Sequence, residues 1–229
     1  MELCVPPSLL QRTKPCFRPI CSIRISFSAE RIRLLRLQTG EATNFSHKTA
    51  MQYIGVFLSS HDNVPSAFQQ ATEEVGKWIG QSGRSLVYGG SGVGMMEVLA
   101  QSAKQAGARI FGIVPQFVVE RNVVSDTLDV DIRTAGLADR KTILIERSDL
   151  MIALPGGVGT LDEIFTLMAE ITIGGTRKHL VLYNVEGCWN KLVELLDEMV
   201  ATNLVHQTVR NKIHVVETTE ALEKLCQSL

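Results

Sequence analysis

The sequence of 229 residues has no hydrophobic run that could cross a membrane. A membrane helix needs about 20 consecutive apolar residues, and no segment of this chain approaches that length. We therefore predict that the protein is not an integral membrane protein and has no membrane partner. With 45% hydrophobic and 21% charged residues, the composition is that of an ordinary globular chain.

The chain also lacks a large net charge, since its formal charge is only −1. This excludes a uniformly basic protein that coats nucleic acid, and no nucleic-acid partner is expected. The average covers two different parts. Residues 1–50 carry eight Lys or Arg and three Glu, a balance of +5, whereas residues 51–229 carry fifteen basic and twenty-one acidic residues, a balance of −6.

Cysteines and histidines with metal-ligand spacing are absent. Three of the five cysteines lie in residues 1–50, and the other two, Cys188 and Cys226, are far apart. Neither a disulfide framework nor a zinc site is indicated. We expect no metal, no cofactor and a reducing, intracellular compartment.

Residues 1–50 combine arginine and serine with few acids, and neither helical nor strand periodicity persists in them. This composition is typical of an organelle transit peptide. Met51 directly precedes the first strong strand pattern, so a dispensable upstream extension and a disordered arm are the alternatives. We expect residues 51–229 to be the functional unit, cytoplasmic unless the leader directs the protein to an organelle.

From residue 52 onward, short aliphatic runs alternate with longer helical patterns. The predicted strands are residues 53–58, 85–88, 109–114, 150–154, 179–183 and 212–216. The predicted helices are residues 66–81, 93–106, 138–147, 160–173, 189–201 and 219–227. This alternation predicts one doubly wound, Rossmann-like α/β domain, with a mainly parallel sheet and helices on both faces.

Ligands bind such sheets beyond the carboxyl ends of the strands, and two of the turns there are rich in glycine. The first, residues 88–96, is YGGSGVGMM and opens the helix at residue 93. Glycines such as Gly90 and Gly94 permit positive φ and let the backbone approach a ligand. A tight turn with close helix packing is the alternative, because the pattern matches neither a dinucleotide fingerprint nor a phosphate-binding P-loop.

The second turn, residues 154–163, is LPGGVGTLDE. Gly156, Gly157 and Gly159 clear space around backbone amides at a helix start, and Thr160 adds a hydroxyl, a combination that favours a phosphate. Glu163 stands three residues after Thr160, so it is either a helix cap or a functional carboxylate. Glu170 lies two turns further along the same helix face, which is either a solvated surface or a carboxylate-lined wall.

The helix that precedes this strand begins near Asp139-Arg140-Lys141. Arg140 offers a planar fork for two-point contact with an anion, and Lys141 offers a second cation. Such a pair serves either a phosphate or developing negative charge, or it is ordinary surface charge.

Together these residues resemble the Lonely Guy family of cytokinin riboside 5′-monophosphate phosphoribohydrolases. That family is marked by a Tyr-Gly-Gly-Gly loop, an Arg-Lys pair and the motif Pro-Gly-Gly-x-Gly-Thr-x-x-Glu. The last two are matched here by residues 140–141 and 155–163, and the resemblance extends from residues 57–60 to residues 204–206. The leader lies outside it.

The resemblance implies an enzyme that cleaves the N-glycosidic bond of a nucleoside 5′-monophosphate, AMP or N6-modified AMP. It implies that Arg140 and Glu163 are the catalytic pair, and it implies a homodimer. The implied substrate and phosphate site consists of Gly90, Gly94, Lys141, Gly156, Gly157, Gly159 and Thr160.

Two other functions share these features. One is a non-catalytic nucleotide-binding or molybdenum-cofactor carrier with the same loop architecture, which the presence of both Arg140 and Glu163 disfavours. The other is lysine decarboxylation, an old label of the family, which would need a lysine bonded to pyridoxal phosphate. Nothing in the sequence marks Lys77, Lys104 or Lys141 for that role. The chain departs from the family at Ser91, in the place of the third glycine of the first loop, and at Glu97, just after that loop, where a glycine is common.

Overall fold

The computed structural model describes residues 51–229, and the predicted leader lies outside the described residues. Seven strands form one sheet: β1 (Tyr53–Phe57), β2 (Ser85–Tyr88), β3 (Ile110–Pro115), β4 (Val130–Thr134), β5 (Leu150–Ala153), β6 (Leu180–Tyr183) and β7 (Ile213–Val216). Every pairing between these strands is parallel. The predicted doubly wound α/β fold is confirmed.

Eight α-helices connect or follow these strands within the described residues. They are α1 (Ser66–Gln81), α2 (Gly94–Gln105), α3 (Gln116–Glu120), α4 (Leu137–Arg147), α5 (Val158–Thr172), α6 (Asn190–Ala201), α7 (Gln207–Arg210) and α8 (Thr219–Ser228). None of the helices in residues 51–229 is both long and apolar enough to span a membrane.

Apolar layers cover both faces of the sheet. On one face Ile54, Val56 and Ile152 pack with Val75 of α1 and Leu99 of α2. On the other face Phe57, Val87 and Met151 pack with side chains of α4, α5 and α6. Strands that are covered on both faces have continuous hydrophobic sequences. Six of the seven strands were predicted from the sequence because they show this pattern.

Strand β4 was not predicted from the sequence. It lies at the edge of the sheet and alternates half-buried with exposed residues, and its charged members Asp131 and Arg133 face outward. A search for continuous aliphatic runs cannot find a half-covered edge strand of this kind. The short helices α3 and α7, of five and four residues, were also not predicted.

The strand order is β4-β3-β2-β1-β5-β6-β7. The chain builds outward from β1 in one direction through β4, then returns to place β5 on the other side of β1. The loops after β1 and β5 therefore diverge and leave a crevice between them, which is where doubly wound sheets bind ligands. One backbone hydrogen bond, from the Ser59 amide to the Pro155 carbonyl (3.3 Å), joins the two loops at its base.

Candidate active site

A cleft of about 400 Å³ occupies this crevice. Its walls are residues 58–61 after β1, Met96 of α2, the first turns of α4 and the first two turns of α5. The predicted residues Arg140, Lys141, Gly157, Gly159, Thr160 and Glu163 all line it. Side chains that are far apart in the sequence therefore meet at the carboxyl edge of the sheet.

An ion pair between Arg140 and Glu163 lies in the cleft. Arg140 Nη1 donates to Glu163 Oε1 at 2.6 Å, and the two side chains are only 11% and 7% exposed. Burial raises the pKa of Glu163, and the adjacent guanidinium of Arg140 opposes that rise. A buried carboxylate is tolerated when a charged partner satisfies it, and Arg140 is that partner.

This geometry excludes the interpretation of Glu163 as a helix cap, and its function as a catalytic carboxylate stays a prediction. Helix α5 begins at Val158, two residues earlier than expected, with Gly157 as its N-cap and no capping side chain. Glu163 is therefore in the second turn and bonds to α4 instead of capping its own helix. Glu170 does not line the cleft; burial and the charge of Glu146 raise its pKa, and the charge of Lys178 opposes that rise.

Lys141 forms a second bridge between α4 and α5. Its Nζ contacts both carboxylate oxygens of Asp162 at 2.8 Å. The Lys141 side chain is 17% exposed and that of Asp162 is 55% exposed. Consecutive residues of α4 thus pair with consecutive residues of α5, one pair buried and one at the rim of the cleft.

The glycines of the second turn differ in their surroundings. A Cβ on Gly157 or Gly159 would have no atom within 4 Å, so both leave open space at the start of α5. A Cβ on Gly156 would collide with the side chain of Thr160, which is only 2% exposed. Gly156 makes room for Thr160, and Gly157 and Gly159 make room in the cleft.

The first glycine turn lies beside the cleft and faces protein. A Cβ on Gly90 would lie 2.5 Å from Val114 Cγ2, and one on Gly94 would collide with the backbone of Ser60 and His61. Gly90 lines neither this cleft nor a separate pocket of about 290 Å³, in which Gly94 and Glu97 take part. Their assignment to the substrate site stays a prediction.

Several cleft residues were not predicted from the sequence. Residues 58–60 appeared only as part of the resemblance, and His61, Met96 and Asp162 were not expected at the site. The Ser59 hydroxyl accepts from the His61 amide at 3.1 Å, which shapes the loop after β1. Residues 58–61 directly follow β1, the central strand of the sheet, and this position was the signal that could have predicted them at the site.

Among the described residues no group of three or more side chains is arranged to hold a metal ion. His179 directly precedes β6 and His214 lies in β7; their ring nitrogens are 2.8 Å apart, and neither residue lines the cleft.

Comparison with known families gives a match of residues 96–226 to a model described as "Possible lysine decarboxylase". The chain is 33% identical over 173 residues to a probable cytokinin riboside 5′-monophosphate phosphoribohydrolase of Oryza sativa subsp. japonica, covering 75% of this chain and 69% of the relative. It is 30% identical over 177 residues to a cytokinin riboside 5′-monophosphate phosphoribohydrolase of Arabidopsis thaliana, covering 77% and 82%. These matches confirm the resemblance and the prediction of an enzyme.

Solved structures of similar fold include the molybdenum cofactor binding protein of Rippkaea orientalis. It has a TM-score of 0.58 and 25% identity, and the match covers 79% of this chain and 98% of that protein. A molybdenum cofactor carrier protein of Chlamydomonas reinhardtii matches with a TM-score of 0.60 and 23% identity, over 78% and 99% of the two chains. The second likeness is a likeness of fold alone.

Proposed function

The chain belongs to the Lonely Guy family of phosphoribohydrolases, and we propose that it hydrolyses the N-glycosidic bond of a nucleoside 5′-monophosphate. The products are the free base and ribose 5-phosphate, and the substrate is AMP or an N6-modified AMP. The observation that carries the proposal is the buried Arg140–Glu163 pair, 2.6 Å apart, in the cleft at the start of α5.

The start of α5 supplies the phosphate site. The first amides of a helix lack partners within the helix and carry partial positive charge. Gly157 and Gly159 leave space there, and the buried Thr160 borders the same cleft. Because residues 51–229 carry a balance of −6, the anionic substrate is attracted by this local site and by Arg140 and Lys141, not by a general positive field.

Glu163 stabilises the positive charge that develops on the ribose as the bond to the base breaks, and it orients the attacking water. Both tasks require the ionised carboxylate. Burial raises the pKa of Glu163, and the contact from Arg140 opposes that rise and so favours the ionised carboxylate. Arg140 can then also neutralise charge on the leaving base or on the phosphate.

The exposed apolar side of α5 supports a homodimer. Val158 is 84% exposed and Phe165 is 40% exposed, and they lie two turns apart on one side of the helix. Ile173, which directly follows the helix, is 82% exposed. Val158 also borders the cleft, so a second copy packed on this face would adjoin the substrate site.

Light scattering, which measures the molar mass in solution, tests the proposed dimer. Phe165→Asp should shift the dimer toward monomer, whereas a monomeric wild-type protein would contradict the proposal.

The decisive experiment incubates the purified protein with AMP and with N6-isopentenyl AMP and measures the free base by chromatography. Glu163→Gln should lower kcat by about 10³-fold or more and leave AMP binding intact, because the amide keeps the shape and loses the charge. Glu170→Gln on the same helix is the matched control and should retain activity. Release of no base from either nucleotide would refute the hydrolase, and full turnover by Glu163→Gln would refute the role of Glu163.

The likeness to molybdenum cofactor proteins favours a second candidate, a carrier that binds a phosphorylated ligand without turnover. Tight AMP binding with no base released is the result that would support it.

A decarboxylase would need a reactive lysine. Lys141, the lysine that lines the cleft, donates to both carboxylate oxygens of Asp162, and this ion pair disfavours a decarboxylase.

A further inference from the structure

Gly89, the first residue after β2, lies against the guanidinium group of Arg140. A Cβ at this position would overlap Nη2 of Arg140, and it would lie 3.1 Å from Cζ and 3.4 Å from Nε. The other terminal nitrogen of the same group, Nη1, donates to Glu163 at 2.6 Å. The guanidinium therefore fills the space that a side chain on residue 89 would occupy.

The backbone itself does not require glycine here. Positive φ occurs at six described glycines, among them the next residue, Gly90 (+72°), and Gly89 is not one of them. No left-handed φ therefore disfavours a side chain at this position. The three nearest atoms to a Cβ on residue 89 all belong to the Arg140 side chain, so that side chain is what leaves no room for one.

We propose that Gly89 is a positioning residue: the absence of a side chain on Gly89 sets the guanidinium of Arg140 against Glu163. This role rests on the proposed hydrolysis. An added methyl group would displace the end of a long, flexible side chain and leave the backbone in place. The protein would stay folded, and the Arg140–Glu163 contact would be lost.

Loss of that contact has a predictable electrostatic consequence. The charged groups that face Glu163 are Arg140 and Lys141, which lower its pKa, and Asp162, which raises it. If Arg140 is displaced, Glu163 stays buried but loses the positive charge that does most to lower its pKa. The pKa of Glu163 should therefore rise further. The carboxylate is then protonated at a higher pH, and the acidic limb of the kcat/KM profile moves upward in pH.

The test compares Gly89→Ala with Gly175→Ala, an exposed glycine without positive φ at which a Cβ would have no neighbour closer than 3.4 Å. Gly89→Ala should remain folded and unfold in a single cooperative transition, as the wild type does. Its kcat/KM should fall about tenfold or more, and most at low pH. Gly175→Ala should match the wild type. A Gly89→Ala protein that unfolds, or that keeps the wild-type pH profile, would overturn the inference.

A second measurement needs no turnover. NMR of the full chain labelled with ¹³C at the glutamate carboxyl groups follows the titration of Glu163, whose signal Glu163→Gln identifies by its absence. The midpoint should lie at higher pH in Gly89→Ala than in the wild type and in Gly175→Ala. If the wild type releases no base, the hydrolase proposal fails, and this titration still decides the role of Gly89. An unchanged midpoint would refute that role.

Discussion

The two glycine turns of this protein look alike in sequence and have opposite surroundings. Each follows a buried strand and opens a helix. Gly90 and Gly94 in the first turn face Val114 and Ser60, whereas Gly157 and Gly159 in the second face empty space. A glycine can thus be required because protein atoms are too close for a side chain, or because a cleft must stay open.

The position of each turn in the sheet explains the difference. The first follows β2, where residues 123–125 cover it: the Gly92 amide donates to Val123 O (2.8 Å) and the Ser125 amide to Gly90 O (3.0 Å). The second follows β5, where the strand order reverses and the neighbouring loops separate. Similar sequences therefore give a packed corner in one place and a cleft wall in the other.

Gly94→Ala tests the packed turn and should have the largest effect on stability. Gly94 has a φ of +56°, and a Cβ would collide with the backbone of Ser60 and His61. The left-handed conformation costs about 1–2 kcal/mol for an alanine, and overpacking adds about 1–3 kcal/mol. Thermal or denaturant unfolding measures the loss.

The matched control is Gly83→Ala. Gly83 has a similar φ of +70°, and a Cβ added there would have no atom within 4 Å, so this variant should show the conformational cost alone. Equal losses of unfolding free energy in the two variants would mean that close packing at Gly94 is unimportant, and the contrast between the turns would fail.

Gly159→Ala tests the open turn, and here stability and activity should change in opposite directions. Gly159 lies inside the first turn of α5 with free space around it, so alanine should stabilise the helix by about 0.5–1 kcal/mol. The new methyl group would project beside the proposed phosphate site and raise KM for AMP about tenfold, a change of about 1.4 kcal/mol. An unchanged KM would exclude this turn from the substrate site.

Much of this arrangement was predictable from sequence. Continuous aliphatic runs identified six strands, and the glycine turn after β5 indicated the edge of the sheet at which the cleft lies. The family motif then singled out Arg140 and Glu163, which the structure brings within hydrogen-bonding distance. These predictions rest on local patterns and on a motif, and neither depends on three-dimensional contacts.

The rest depends on contacts that the sequence does not display. The roles of individual glycines follow from neighbours distant in sequence, such as Val114 beside Gly90 and Arg140 beside Gly89. The pairing of Lys141 with Asp162 requires α4 and α5 to lie side by side. Glu97, which departs from the family pattern, accepts a hydrogen bond from the Thr127 hydroxyl at 2.9 Å, a contact that the sequence does not reveal.

Ser91→Gly sharpens the comparison with the smallest expected effect. Ser91 stands where the family has its third glycine, it is 7% exposed, and it forms an antiparallel bridge with Val124. Because that bridge faces residues 123–125 and not the cleft, restoring the glycine should lower the unfolding free energy by only about 0.5–1 kcal/mol, through added backbone freedom. KM for AMP should remain that of the wild type. A several-fold change in KM would show that the first turn touches the substrate, and the distinction between a packed turn and a substrate-binding turn would then be wrong.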